Sequence, residues 1–245
     1  MSRSAHAGFL GNLRAAMGVW GRSPGLPIWS FLVLAFPFII TGAIARAECP
    51  GLAPGCRMAW AGVATLVLLP VLLFSIGWPG TERAWYLWGF QGKRMTPGTA
   101  WTLTWGYVGR FLRLGLILSP PYIALIILIT IDRSWEIGLV MVTVLLDFGL
   151  TFVTPALAYS TGSALEALGI GLRAVRQTWP AAAPYVLVPP LAFQALARLE
   201  PATSFLADIG LQSAWVLTAL LLKGAIARFY LRRFHPKDLE AVSDR

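Results

Sequence analysis

The run LGLILSPPYIALIILITI (114–131), the short link DRSWE (132–136) and the run IGLVMVTVLLDFGLTFVTPALA (137–158) together decide how this chain folds. Neither long run holds a Lys or Arg, and the one carboxylate in them is Asp147. A helix needs about 20 mostly apolar residues to cover roughly 30 Å of hydrocarbon at about 1.5 Å per residue. Both runs meet that requirement, and five residues between them leave room only for a tight antiparallel turn. Lipid offers no hydrogen bonds to a backbone, so each crossing segment satisfies its own amides as a helix; barrel strands would be shorter and would alternate in polarity.

Four more stretches are long and apolar enough to cross: 26–45, 58–78, 181–199 and 203–222. The last two meet at Glu200 and Pro201, a second tight hairpin. The expected fold is therefore all-α, a polytopic transmembrane helical bundle of six spans in a single integral membrane domain. Composition agrees, with 57% hydrophobic and 13% charged residues and a mean hydropathy of +0.67. That balance is too apolar for water to be the solvent of most of the chain. Trp20, Trp29, Trp60, Trp78, Trp135 and Trp179 stand near the ends of apolar runs, as rings at headgroup level do. Ala45-Arg46-Ala47 closes the first run in the manner of a signal-peptidase site. The long basic region before that run and the five spans after it favour a retained span.

The net charge of +9 would suggest nucleic acid in a soluble protein, but its distribution points to a bilayer. Arg3, Arg14, Arg22, Arg83, Lys93, Arg94, Arg110, Arg113, Arg173, Arg176, Lys223, Arg228, Arg232, Arg233, Lys237 and Arg245 fall in the termini and the second and fourth connections. Only Arg46, Arg57, Arg133 and Arg198 fall on the other side. Such a bias places both termini in the cytoplasm, as an even number of spans also requires, and the location expected is the inner (plasma) membrane of a cell.

Between the spans lie stretches too polar to cross yet periodic in their apolar residues. In 5–21, Phe9, Leu10, Leu13, Met17 and Trp20 recur at helical spacing, which predicts a helix lying in the cytoplasmic interface. The connection from Glu82 to Arg113 is broken by Gly92 and by Pro97-Gly98, predicting two short interfacial helices. The third begins Ser163-Ala-Leu-Glu166, a capping-box spacing, and continues through Leu168, Leu172 and Val175. The chain thus reads as interfacial helix plus two spans, three times over; duplication and the shared demands of entering a bilayer both explain the pattern. After the sixth span, 223–245 is expected as a cytoplasmic tail.

Phe152-Val-Thr-Pro155-Ala-Leu-Ala158, then Ala164-Leu165 and Trp179, then Leu222-Lys-Gly224 with Phe229-Tyr230, carry a resemblance. In these short motifs and in overall architecture, the chain resembles bacterial six-span membrane proteins related to the membrane domain attached to some glycerophosphoryl diester phosphodiesterases. The resemblance implies a helical membrane domain. It does not imply phosphodiester hydrolysis, since the catalytic domain of those enzymes has no counterpart in this sequence.

Chemistry-bearing residues are few. Asp147 lies near the middle of the fourth span, where a carboxylate costs about 2.5 to 3.5 kcal/mol on insertion scales. Thr143, Thr151 and Thr154 share its helix face, and Gln194, Gln212 and Ser213 lie at similar depth in the next hairpin. This polar set reads either as a proton- or cation-sensitive site or as hydrogen bonding that fixes helix packing. Pro37, Pro70, Pro120, Pro121, Pro155, Pro184, Pro189 and Pro190 fall within spans; each removes an amide donor and bends its helix, a feature of solute pathways and of ordinary membrane helices alike. Cys49 and Cys56 flank the first outer loop as a disulfide or as two thiols. Arg228, Arg232, Arg233 and Lys237 follow the last span as a face for anionic lipid headgroups or as orientation charges. His6 and His235 stand far apart, so no metal site is expected, and no P-loop, dinucleotide fingerprint, nucleophile elbow or two-His helix supports a catalytic site or a cofactor.

The function expected is that of a non-enzymatic membrane component, a partner subunit or a factor organising envelope lipids. A small-solute or ion-coupled transporter using Asp147 and a lipid-active enzyme are the alternatives. The partners expected are the bilayer and a membrane protein or a second copy of the chain, with no nucleic acid.

Overall fold

The computed structural model of the chain describes residues 8–35, 54–131, 138, 141, 150–197 and 205–240; at 54–68, 122, 125, 126, 129, 193–197, 205–208 and 240 it describes the backbone alone. Among the described residues every regular element is helical. In chain order they are α1 (Phe9–Arg22), α2 (Gly25–Ser30) running into a π-helical turn at Phe31–Ala35, α3 (Pro54–Phe90), α4 (Pro97–Ile131), α5 (Val153–Tyr159), α6 (Ala164–Thr178), α7 (Ala183–Ala197), α8 (Phe205–Phe234) and α9 (Pro236–Glu240).

Local chemistry explains the breaks. Gly92 takes a φ of 70°, its amide donates to Gly89 and the Lys93 amide donates to Trp88, which is the paired closure that ends a helix with a left-handed glycine. Between α4 and α5, Pro155 cannot donate to the carbonyl four residues back, and the chain passes through a turn at 151–152 before helix resumes. Ser163 caps α6 as its spacing predicts, accepting the Glu166 amide at 3.5 Å. The Glu166 carboxylate accepts from the Thr161 hydroxyl, so the reciprocal half of the box is displaced by two residues.

The connection from Glu82 to Arg113 departs from expectation. It forms no separate interfacial helices: α3 continues unbroken to Phe90 and α4 starts at Pro97 and continues to Ile131. The reason is that Trp78, Glu82, Tyr86 and Phe90 repeat every four residues, so one face of α3 keeps its contacts beyond the apolar run. The region after 222 differs in the same way, because α8 carries on for three more turns past Lys223.

α8 is the wall between two cores. Leu220 and Ala227 pack with Trp78, Trp85, Tyr86, Ala16, Val19 and Leu26 on one side. On the other, Ala225, Ile226 and Tyr230 pack with Phe152, Leu157, Ala174 and Tyr185. Tyr185 and Phe229 bring their ring centroids to 4.4 Å, and Phe152 stacks on Phe229 at 5.6 Å. α3 and α4 form an antiparallel pair that closes on Gly77, where a Cβ would stand 2.1 Å from the Thr104 carbonyl oxygen, and α8 meets α3 as closely at Gly224, where a Cβ would stand 2.5 Å from the Tyr86 ring. Glycine at both crossings lets the helix backbones approach closely.

The exposed surface inverts the usual pattern. α1 buries Asn12, Ala16 and Val19, and α6 buries Ala164, Ala167, Gly171, Ala174 and Thr178. Leu10 and Met17 of α1 and Leu165 and Leu172 of α6 nevertheless face outward, with Leu10 76% exposed and Leu165 69% exposed, while Phe9, Leu13, Leu168 and Val175 pack against the core.

Candidate functional site

While bulky apolar groups face out, two adjacent charged residues face in. Glu82 is fully buried and Arg83 is 4% exposed. Consecutive residues on a helix diverge by about 100°, so the two side chains leave α3 toward different neighbours. Glu82 reaches α2 and α8: one oxygen accepts the Ser30 hydroxyl at 3.0 Å and the other accepts the Lys223 ammonium at 2.7 Å. Ser30 in turn accepts the Trp78 indole N–H at 3.0 Å. Both carboxylate oxygens are thus engaged, the condition under which a buried charge is tolerated.

Arg83 reaches α8 and α5. It donates to the Lys223 backbone carbonyl and, at 3.0 Å, to the Thr154 hydroxyl. Its own carbonyl accepts the Tyr159 hydroxyl at 2.7 Å. Its Nε has no hydrogen-bond partner. Burial pulls the guanidinium pKa below its ordinary value, with Tyr159 and Glu82 acting the other way; the group nonetheless stays protonated, as arginine does. Glu82 forms an ion pair with the partly exposed Lys223, and Arg83 is held by the neutral acceptors Thr154 and the Lys223 carbonyl.

One turn along, Tyr86 extends the network. Its hydroxyl donates to the Leu220 carbonyl at 2.8 Å and accepts the Trp20 indole N–H at 2.8 Å, tying α3 to α8 and α1. Thr81 and Thr104 share a hydrogen bond of 2.8 Å between α3 and α4. A segment of five residues on α3, 82–86, therefore binds α1, α2, α5 and α8 into one unit. Chemically the arrangement holds helices in register, since each carboxylate oxygen faces a protein donor.

The sequence-selected residues are distributed differently. Asp147, Thr143, Cys49, Pro37 and His6 lie outside the described residues, and Gln194 and Cys56 lie on α7 and α3 where the backbone alone is described. Of the polar stripe, Thr154 is the member that the structure brings to a charge, and the charge is Arg83. Gln212 and Ser213 are half-buried on α8, and Ser213 donates back to Ile209 of its own helix at 2.7 Å. Thr151 sits half-buried in the turn before α5. Of the basic set, Arg228 lies 5.4 Å over the Phe90 ring, Arg232 is half-buried, and Arg233 and Lys237 are exposed. Most residues carrying the resemblance are core: Phe152, Val153, Pro155, Gly224 and Tyr230 are all buried, while Trp179 is half exposed.

Arg83 and Lys223, which the charge count assigns to cytoplasmic connections, lie on α3 and α8 in this network, Arg83 buried and Lys223 partly exposed. A signal for it was present. Glu82 is the only acidic residue between Glu48 and Asp132, and it sits four residues from both Trp78 and Tyr86. A lone carboxylate on an aromatic helix face is an acid that needs a partner. Comparisons of the chain with protein-family models, with curated proteins and with solved structures gave no match.

Proposed function

We propose that this chain is a non-enzymatic, multi-pass membrane protein that acts on lipid organisation or as the partner of another membrane protein. In this reading six spans leave both termini in the cytoplasm, and the Glu82–Lys223–Arg83 network holds the cytoplasmic ends of the helices together. The observation that carries it is the inverted surface: Leu10, Met17, Leu116, Leu165 and Leu172 face outward while Glu82 and Arg83 face inward. In water such an exchange loses on both counts, since apolar area stays wet and charges are desolvated. α8 adds support, because Ile209–Phe234 is long and apolar enough to cross a bilayer. The resemblance to six-span membrane domains fits the same reading.

The network favours a scaffold over a reaction centre. Each oxygen of Glu82 accepts a protein hydrogen bond, one from Ser30 and one from Lys223, and the carboxylate is fully buried.

Two measurements test the proposal. Alkaline carbonate should leave the protein in the membrane pellet, and release into the supernatant would refute membrane insertion. In a chain carrying Cys49→Ser and Cys56→Ser, cysteines placed by Arg94→Cys and Arg233→Cys should be shielded from an impermeant maleimide in intact cells and react after lysis; labelling from outside would refute the orientation.

A further inference from the structure

A cavity of about 470 Å³ opens between α4 and the start of α6. Arg113, Leu116 and Ile117 line one wall, and residues 162–165 line the other. Arg110, one turn before Arg113 on the same helix, lies at its edge: a Cβ added to Gly162 would stand 3.6 Å from the Arg110 guanidinium carbon, and that guanidinium sits 5.5 Å over the Tyr107 ring. Residues three apart project from the same side of a helix, so both guanidiniums flank one opening. The carboxylate nearest in sequence, Glu166, is engaged by the Thr161 hydroxyl. Among the described residues Arg113 forms no ion pair.

The other end of the cavity is apolar. Leu116 is 63% exposed, and Ile117 and Leu165 are also exposed, so the walls pass from cationic to hydrocarbon within one helical turn. This boundary falls where the charged connection ends at Arg113 and the run 114–131 begins. A ligand matching both ends carries a phosphate and an acyl chain on one molecule. We propose that this cleft binds an anionic phospholipid of the cytoplasmic leaflet, with its phosphate between Arg110 and Arg113 and one chain along Leu116 and Ile117. Anionic headgroups are drawn to basic side chains at that leaflet, and guanidiniums suit phosphate because their paired N–H groups match its oxygens. The site is separate from Arg233 and Lys237 at the end of the chain, and it rests on the membrane reading above.

The full chain is exchanged into nanodiscs containing phosphatidylcholine and phosphatidylglycerol, and retained lipids are counted by native mass spectrometry. Retained lipid should be enriched in phosphatidylglycerol, and Arg110→Ala and Arg113→Ala should each lower that enrichment about fivefold. Leu116→Ser/Ile117→Ser should lower it with both arginines in place, and glycerol 3-phosphate in the buffer should not displace the lipid. An equal loss from Arg233→Ala/Lys237→Ala would show general surface charge and overturn the site, and displacement by glycerol 3-phosphate would identify a site for free phosphate instead. Carbonate extraction of the same preparations separates the two ideas. Release of the parent protein overturns membrane insertion itself, whereas a membrane-bound parent with no lipid preference overturns the cleft alone.

Discussion

The outer faces of α1 and α6 and the inner face of α3 around Glu82 are opposites. The first two bury Asn12, Ala16, Val19, Ala167 and Gly171 and turn Leu10, Met17, Leu165 and Leu172 outward. The third turns a glutamate and an arginine inward and surrounds them with Trp78, Tyr86 and Tyr159. Leucines so exposed and a glutamate so buried are both unfavourable for a helix folding in water. In the proposed reading these outer faces meet hydrocarbon, and protein groups take the place of solvent around Glu82 and Arg83.

The comparison breaks most severely at Glu82. Glu82→Ala leaves the Lys223 ammonium without its carboxylate and should cost about 3 kcal/mol, the low end for a broken buried pair because Lys223 is partly exposed. Denaturation of the detergent-solubilised protein should show that loss. Glu82→Met/Lys223→Met should recover most of it, because paired apolar replacements are often neutral; a double variant as unstable as the sum of the singles would show that the two side chains do not interact. Next is Gly77→Ala, which drives a methyl into the Thr104 carbonyl and should cost about 1 to 3 kcal/mol through forced separation of α3 and α4. Tyr86→Phe removes a hydroxyl with two partners, and a loss of about 1 kcal/mol in the same assay is expected.

The smallest change in stability, with the sharpest diagnostic value, belongs to the outward residues. Leu172→Ser should alter the unfolding free energy in detergent by less than about 0.5 kcal/mol, as exposed positions do. A strong loss of stability would mean that Leu172 packs against protein.

Much of the fold was legible from spacing alone. Ser163 and Glu166, three apart before an apolar-periodic run, marked the start of α6, and Gly92 marked the end of α3. These are local signals, decided by residues within one turn. The network at Glu82 was not legible, because its partners Ser30 and Lys223 lie 52 and 141 residues away, and no periodicity spans such distances. The charge count placed Arg83 and Lys223 beside apolar runs, but it could not show that α3 and α8 continue past those runs and bring Lys223 to Glu82 and Arg83 to Thr154. Thr154 shows the reverse case, selected for its helix face and found bonded, to a partner from another element.

The central claim is that the outward leucines and methionines meet hydrocarbon. Spin labels at Met17→Cys and Leu172→Cys in the liposome-reconstituted protein report this directly through their collision rates with oxygen, which concentrates in lipid, and with a water-soluble nickel chelate. The account predicts that oxygen dominates at both positions and the chelate at Arg94→Cys. Dominance of the chelate at Met17 and Leu172 would contradict it.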